Sequence, residues 1–438
     1  MAVTGVLALA VASTAAGFTG AVTANTASAG GVKTPAIGIS PRYLVAGQVT
    51  ADPSAVTFGC QTTTPAGCYG PSQIRAAYGV DKLANRGVTG KGRNIVIIDS
   101  YQSPTINGDL QTFDKLFGLS DPVFNIVAPD GLTPFDQSDK VQTSWAGEIT
   151  LDVEWSHVIA PDAHITLVLA KTSNDADILS ATRYAVQHKL GDVISQSFGE
   201  AEQCMDPTLL KQQNALFTEA VHEGITLFAS AGDQGSAQPT CDNSSYFKSA
   251  STPASDPNVT SVGGTRLDAD GLTGAYHTET VWNEPDFTSA GGGGYSVVYG
   301  TPSYQRSLHL PARGVPDVAY NAAIIGGVLT VWSTSGQGAN LVFRFGGTSA
   351  GSPQWAGLTV LADQLAGHDL GAIDNALYGL AHGRQYGSRY HDVTVGDNTY
   401  HGTSVTVPGF QAGPGWDPAS GLGSPQADVL IPALASNG

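Results

Sequence analysis

Short, continuous apolar runs alternate with stretches of helical length between residues 94 and 230, and this alternation limits the fold more than any other feature. The apolar runs, each ending in or beside a polar residue, lie at 94–99, 165–169, 193–197 and 225–230, with helical stretches at 176–188 and 207–222. An apolar run without alternation is typical of a strand buried on both faces of a parallel sheet. We therefore predict an α/β fold, a mostly parallel sheet flanked by helices on both faces. Ligands bind at the carboxyl ends of such strands, so the polar residues there are candidate site residues.

The composition fits one catalytic domain, which we place at residues 69–438. Hydrophobic residues make up 41% of the 438 residues and charged residues 13%, which provides a sizeable core and excludes a disordered chain. The formal net charge of −17 argues against nucleic acid as a partner, because phosphate binding needs clustered Lys and Arg. We expect the domain to act as a monomer.

The amino terminus has the pattern of an export signal. Residues 1–29 are apolar and small and end in Ala27-Ser28-Ala29, which predicts a secretory signal peptide with its cleavage site. Residues 30–68 are rich in Gly, Pro, Thr and Ala and are interpreted as a short pro-segment or linker. No other apolar run is long enough to span a membrane, so we predict a secreted, extracellular protein without a membrane partner.

Four cysteines remain in the exported chain, where disulfides are favoured. Pairing Cys60 with Cys68 and Cys204 with Cys241 keeps both loops short, but three connectivities are open. The cysteine spacing lacks the CxxC pairs and neighbouring histidines of a zinc site.

A candidate nucleophile follows the apolar run at 341–345. The segment 346–353, GGTSAGSP, predicts a tight turn from a strand into a helix, with Pro353 in the first helical turn. Ser349 then lies at a helix amino terminus, where backbone N–H groups favour developing negative charge. The competing interpretation is that Thr348 or Ser349 merely caps the helix.

A serine nucleophile needs a base, and no histidine has a suitable setting. Asp99 resembles the orienting acid of a subtilisin-type site, but His157, His164 and His188 lack the H-G-T-like context expected after it. His401 has that context but follows Ser349 along the chain, in the wrong order.

Carboxylates are the alternative base, and the helical pattern at 144–155 supplies two. Glu148 and Asp152 are spaced i, i+4 on one face that also carries apolar residues. Two like-charged groups this close, and partly desolvated, are expected to share a proton. The competing interpretation is an ordinary acidic surface helix.

The run at 225–230 leads into Gly232-Asp233, at the carboxyl end of a predicted strand. A protonated Asp233 can donate a hydrogen bond to an oxyanion, whereas an ionised one cannot. An Asx turn is the alternative.

These segments, in this order, resemble the catalytic set of the sedolisins, the serine-carboxyl peptidases. Further matching stretches lie at 253–265, 282–283, 292–296 and 313–318, and the resemblance covers about residues 69–430. It implies a subtilisin-like fold and four roles: Ser349 as nucleophile, Glu148 as general base and acid, Asp152 orienting Glu148, and Asp233 in the oxyanion hole. Two departures are the short segment before Tyr69 and Phe198 where members often have Trp; Asp99 is a further candidate member of the carboxylate network.

Two aspartates on separate carboxyl-terminal loops, accompanied by glycines, match the oxygen donors that calcium prefers. The spacing is not that of an EF-hand. The family resemblance implies one structural Ca²⁺ bound by Asp392, Asp417 and the carbonyls of Val393, Gly413 and Gly415.

The sequence thus predicts a secreted peptidase that cleaves proteins or peptides in acid, because a carboxylate base still accepts a proton at a pH where histidine is already charged. A subtilisin-type Ser/His/Asp peptidase and an inactive polypeptide-binding relative remain alternatives. The sequence does not distinguish endopeptidase from tripeptidyl-peptidase action.

Overall fold

The computed structural model describes residues 42–49, 56–338 and 341–437. The predicted signal peptide at 1–29 lies outside these residues and stays a prediction. None of the helices in the described ranges is long and apolar enough to cross a membrane.

The helices of the described residues follow the predicted pattern, and both predicted helices at 176–188 and 207–222 are confirmed to within a residue. They are α1 Pro71–Ala77, α2 Val80–Ala84, α3 Ile106–Phe117, α4 Lys140–Ile159, α5 Asp175–Gln187, α6 Pro207–His222, α7 Gly351–Ala366, α8 Asp374–Ala381, α9 Tyr386–Arg389 and α10 Ala427–Ala435.

Many strands are short and form two-stranded ribbons, whereas the longer ones build two sheets. They are β1 Arg42–Gln48, β2 Cys68–Tyr69, β3 Asn94–Ser100, β4 Phe124–Val127, β5 His164–Ala170, β6 Val193–Gln196, β7 Glu200–Ala201, β8 Thr226–Ser230, β9 Ala237–Pro239, β10 Tyr246–Lys248, β11 Ser251–Thr252, β12 Thr260–Ala269, β13 Tyr276–Val281, β14 Asn283–Glu284, β15 Ser289–Ala290, β16 Gly294–Tyr295, β17 Gly314–Val315, β18 Val318–Asn321, β19 Gly327–Val331, β20 Leu341–Gly346, β21 Tyr390–His391, β22 Tyr400–His401, β23 Thr406–Val407 and β24 Ser424–Pro425.

The larger sheet has the order β13-β12-β8-β6-β3-β5-β4, and β18 also pairs with β12. Every pair in it is parallel except β12 with β13, which confirms the predicted mostly parallel sheet. Strands β3, β6 and β8 are adjacent and parallel, so their carboxyl ends lie at one edge of the sheet. Asp99 lies in the last part of β3, and Ser197 and Asp233 lie after β6 and β8, at this same edge.

Both faces of this sheet are covered by helices. Along β3, Ile95 and Ile97 belong to the core shared with α4 and α7, while Val96 and Ile98 belong to the core shared with α5 and α6. Alternate strand residues thus enter opposite cores, which is why the strand is apolar throughout.

A second sheet, with the order β1-β20-β19-β2, leads directly to the candidate nucleophile. In it, β1 runs antiparallel to β20 and Arg42 pairs with Gly346. Part of the 30–68 segment therefore joins the folded body, and its interpretation as a pro-segment stays a prediction. The two short-loop disulfides, Cys60–Cys68 and Cys204–Cys241, are both formed.

Candidate active site

Ser349 lies on the predicted turn between a strand and a helix. Strand β20 ends at Gly346, residues Thr348–Ala350 form one 3₁₀ turn, and α7 begins at Gly351. Gly347 makes the turn possible, since its φ of 131° is a conformation that side-chain-bearing residues rarely adopt. Ser349 is 6% exposed, so its hydroxyl lies at a largely desolvated helix amino terminus.

Glu148 and Asp152 lie in the middle of α4, a helix of 20 residues capped by the Asp139 side chain, and both are fully buried. Burial, reinforced by Asp152 and Asp233, raises the pKa of Glu148 well above its ordinary value, and the Ser349 hydroxyl opposes this rise. Neither carboxylate oxygen of Glu148 has a hydrogen-bond partner of good geometry. The Ser349 hydroxyl thus lies near enough to Glu148 to affect its pKa, while its own hydrogen bond goes to another residue.

Asp99 joins this pair from the end of β3 and is also fully buried. Burial, together with Glu148, raises the pKa of Asp99 well above its ordinary value. Burial and Asp99 do the same to the pKa of Asp152, against the influence of the Ser197 hydroxyl. Three carboxyl groups in one desolvated space cannot all ionise, so the cluster retains protons at pH values where exposed carboxylates have lost theirs.

Ser197, directly after strand β6, contacts the candidate nucleophile Ser349. Ser349 Oγ donates to the backbone carbonyl of Ser197 across 3.4 Å, and Ser197 Oγ donates to the backbone carbonyl of Ser349 across the same distance. No hydrogen bond joins Ser349 to a histidine anywhere in residues 42–49, 56–338 and 341–437. His157, on the same helix as Glu148, instead places Nε2 3.2 Å from Asp114 on α3.

Asp233 follows β8 and is 6% exposed. Its Oδ1 accepts from the backbone N–H of Thr348 at 2.8 Å and from the Thr348 hydroxyl at 2.9 Å. Burial raises the pKa of Asp233 to about 6, although both Thr348 bonds and the Arg42 charge oppose the rise. Asp233 therefore carries a proton through the acidic range, and Thr348 holds its carboxyl group beside the nucleophile turn.

Ser349, Thr348, Asp233 and Ser197 line an open cleft with an empty volume of about 320 Å³, whereas Glu148, Asp152 and Asp99 are not among its lining residues. Its walls come from the segment after β6, the turn after β8, strands β9 and β11, and the nucleophile turn. The lining residues are Ser197, Phe198, Gly199, Ser230, Gly232, Asp233, Gln234, Gln238, Ser251, Thr348 and Ser349.

Sequence reasoning did not assign roles to Thr348 and Ser197. Thr348 had been considered only as a helix cap, yet its hydroxyl and N–H fix Asp233. Ser197 faces Asp152 and the nucleophile because β6 lies next to β3 in the sheet. A polar residue directly after a buried strand was the available signal for Ser197, as it was for Asp99.

The predicted calcium ligands also lie together, on the carboxyl-terminal loops. Asp392 accepts from the N–H of Gly415 at 3.1 and 3.2 Å, and Asp417 accepts from the N–H of Gly413 at 2.9 Å. Both carboxylates thus contact one glycine-containing loop, and Val393 follows Asp392 directly. Carboxylates are among the oxygen ligands that calcium prefers, whereas the loop groups that contact both carboxylates here are backbone N–H donors. No group of three or more His, Cys, Asp or Glu side chains suited to a metal occurs in the described part of the chain.

Comparison with known proteins places this site in context. Residues 143–370 match the model of the Subtilase family. The chain is 33% identical to kumamolisin of Bacillus sp. (strain MN-32) over 385 residues, which covers 84% of this chain and 63% of kumamolisin. It is 34% identical to sedolisin of Pseudomonas sp. (strain 101) over 346 residues, 75% of this chain and 56% of sedolisin. Human tripeptidyl-peptidase 1 is 31% identical over 268 residues, 56% of this chain and 43% of that protein.

A solved structure is similar over nearly its whole length. It is Pseudomonas sedolisin (serine-carboxyl proteinase) complexed with two molecules of pseudo-iodotyrostatin, with a TM-score of 0.72 and 30% identity. The match covers 85% of this chain and 99% of that one. Among the curated relatives, by contrast, the chain spans less than two thirds of the length of kumamolisin, sedolisin and tripeptidyl-peptidase 1.

Proposed function

Because the chain belongs to the sedolisin family, with its subtilisin-like fold, we propose that it is a serine-type peptidase that hydrolyses peptide bonds in acid. The observation that carries the proposal is the buried carboxyl group of Glu148 facing the Ser349 hydroxyl, where a histidine would otherwise be needed. Ser349, Glu148, Asp152 and Asp233 are proposed as the catalytic set, with Asp99 as a positioning residue behind it.

The reaction begins with proton transfer. Glu148 takes the hydroxyl proton of Ser349 as Oγ forms a bond to the carbonyl carbon of the substrate. The carbonyl oxygen becomes an oxyanion, and the protonated Asp233 donates a hydrogen bond to it. Glu148 then gives the proton to the leaving amine as the C–N bond breaks, which leaves an acyl group on Ser349.

Water completes the cycle by the reverse sequence. Glu148 accepts a proton from water as the water oxygen forms a bond to the acyl carbon. The C–O bond to Ser349 then breaks, Oγ takes the proton back from Glu148, and the carboxylic acid product leaves. For this, Glu148 must be the ionised member of the cluster while Asp152 or Asp99 holds the shared proton. The Ser349 hydroxyl supports that arrangement, since it favours the charged form of Glu148.

The pH dependence follows from the two carboxyl roles. Asp233 donates only while protonated, so activity falls as pH rises through its pKa of about 6. Activity also falls at low pH, when the last carboxylate of the Glu148 cluster takes up a proton. We therefore expect a bell-shaped profile whose maximum lies below pH 6.

The test is hydrolysis of casein and a quenched-fluorescence peptide between pH 3 and 8. Glu148→Gln is expected to lose about 10²- to 10⁴-fold in activity, the usual contribution of general acid–base catalysis. Ser349→Ala should lose about 10⁶-fold, because it removes the nucleophile itself. Glu154→Gln is the matched control. Glu154 is equally buried on α4, but its Oε2 accepts from the N–H of Val331, and its pKa is influenced by burial, Asp109 and Asp114 and not by Ser349.

Near-normal activity of Glu148→Gln, or a maximum above pH 7, would contradict the mechanism. An inactive polypeptide-binding protein would bind a peptide aldehyde without covalent attachment to Ser349, and mass spectrometry of the product distinguishes this case. Mass spectrometry of the casein digest shows whether cleavage is internal or removes short amino-terminal peptides.

We further propose that the protein is secreted, that its substrates are proteins or peptides, and that the loops at 390–393 and 413–417 hold one Ca²⁺. Asp392 and Asp417 would supply carboxylate ligands, and Val393, Gly413 and Gly415 would supply carbonyls. The ion would stabilise the fold by joining the two loops.

A further inference from the structure

The cleft beside Ser349 has a shape that a substrate side chain must fill. In the proposed reaction, Ser349 attacks the carbonyl carbon of the residue before the scissile bond, and the carbonyl oxygen lies at Asp233. The side chain of that substrate residue would then lie between the segment after β6 and the turn after β8. Those two segments form facing walls of the cleft. The cleft is small and open to solvent on one side, so it suits one side chain and not a larger ligand.

Gln238 supplies an unusual polar group in this cleft. It is 3% exposed, and its amide nitrogen has no hydrogen-bond partner. An unpaired buried amide is costly, so such a group is a candidate for pairing with a ligand. The pairing of β9 with β10 and the Cys204–Cys241 disulfide hold this segment in place.

The amide of Gln238 lies close to the oxyanion turn. A Cβ at Gly232 would lie 2.8 Å from Gln238 Nε2. Because glycine has no Cβ, the Gln238 amide can lie against the backbone of the residue before Asp233. Gly232 also has a φ of 112°, which disfavours a side chain there.

The other residues that line the cleft further limit which substrate side chains it can bind. Asp233 is the ionisable residue among them, and no Lys or Arg lines the described cleft, so an ionised acidic side chain of the substrate would find no cationic partner. Phe198 offers one apolar wall, and its ring packs against Trp145 with 6.0 Å between centroids. The hydroxyl groups of Ser230 and Ser251 add hydrogen-bonding capacity. An aliphatic stem with an uncharged polar end fits these walls.

We propose that Gln238 is a specificity-determining residue that pairs with a primary amide, so that the enzyme prefers to cleave after glutamine. A primary amide both donates and accepts, and two such groups form a reciprocal pair whichever way each is turned. The proposal rests on the proposed peptidase function and names the substrate class of the same site.

The test uses quenched peptides identical except for the residue before the scissile bond: glutamine, methionine of similar length, or lysine. At pH 4.5 the wild type is expected to cleave the glutamine peptide with a kcat/KM about tenfold above that of the methionine peptide, the size of one net hydrogen bond to a buried group. Gln238→Met should reduce this ratio to about one, and a melting temperature equal to that of the wild type shows that the variant is folded. Gln212→Met, an exposed glutamine on α6 outside the cleft, should keep the wild-type ratio.

The outcomes separate the two proposals. A wild-type ratio near one, or a ratio that survives in Gln238→Met, overturns the role of Gln238. Loss of the preference in Gln234→Met alone would do so as well, since that residue lines the same cleft. If Ser349→Ala cleaves as well as the wild type, or neither cleaves any peptide, the proposed function itself fails.

Discussion

Asp363 offers a direct test of how burial of carboxyl groups sets the stability of this protein. It lies in α7 away from the cleft, is fully buried, and accepts from the N–H of Leu370 at 3.0 Å through Oδ1. Its Oδ2 is buried without a partner. Burial raises the pKa of Asp363 to about 8; Arg93 opposes this rise, and Asp192 and Asp369 reinforce it.

The sign and size of the effect follow from this pKa. In the unfolded chain the group titrates near 3.8, so between that pH and about 8 the native state holds a proton that the unfolded chain releases. The stability contribution is therefore fully present below about pH 4 and is lost as pH rises. At pH 7 the difference spans about three pH units at about 1.4 kcal/mol each, or about 4 kcal/mol. Relaxation around an ionised carboxylate reduces this value, so we expect about 2 to 4 kcal/mol.

The perturbation is Asp363→Asn in a Ser349→Ala background, which prevents self-digestion. Asparagine keeps the acceptor for Leu370 and cannot ionise, and its unpaired NH₂ group costs the same at every pH. Urea denaturation, followed by tryptophan fluorescence at pH 4 and pH 7, gives the free energy of unfolding. Relative to the parent, the variant should gain about 2 to 4 kcal/mol between pH 4 and pH 7.

The matched control is Asp130→Asn, which removes an exposed carboxylate and should give the same small change at both pH values. If Asp363→Asn also changes stability equally at pH 4 and pH 7, the native group is already ionised at neutral pH and the reasoning from burial is refuted.

Three further predictions concern other parts of the molecule. Arg313 and Asp317 form a fully buried ion pair with an N–O distance of 2.6 Å. Arg313→Met removes the cationic partner and should lower the free energy of unfolding in urea by about 3 to 5 kcal/mol. An unchanged denaturation midpoint would contradict this. Gly347→Ala should reduce kcat at least about tenfold, since a Cβ there would lie 2.8 Å from Asp233 Oδ2, and unchanged steady-state kinetics would show that the turn adapts. EDTA and Asp392→Ala should each lower the melting temperature without adding to one another; an EDTA effect that persists in the variant would place the calcium elsewhere.

The parallel sheet was predictable because burial on both faces of a strand leaves a continuous apolar run in the sequence. Strand β3 is buried on both faces, so residues 95–98 are uninterrupted β-branched apolar residues. Strand β1 was not predictable in the same way, and 42–48 was interpreted as part of a pro-segment or linker. Its exposure pattern is irregular, and its partner β20 lies about 300 residues away along the chain. Such a pairing is decided by tertiary contacts and not by local propensity.

The site shows the same division. Ser349, Glu148 and Asp233 each lie in a local motif whose chemistry the sequence indicates. In the structure Ser349 and Asp233 line the cleft, and Glu148 lies buried near Ser349. The hydrogen bonds from Thr348 to Asp233 have no local signature, since they depend on how the chain turns at Gly347. Gln238 likewise becomes visible only when β9 is placed beside the oxyanion turn.

Helix α4 explains why catalysis and stability should favour the same pH. It buries Glu148, Asp152 and Glu154 completely, and burial raises the pKa of all three well above ordinary values. Glu154 has no place in the proposed reaction, yet its carboxyl group, like that of Asp363, is favoured in its neutral form. Acid therefore supplies the protons that the proposed mechanism requires of the Glu148 cluster and Asp233, and it also removes the cost of burying charge elsewhere in the core. A site that depended on a histidine base would need a higher pH, at which these buried carboxyl groups would destabilise the fold.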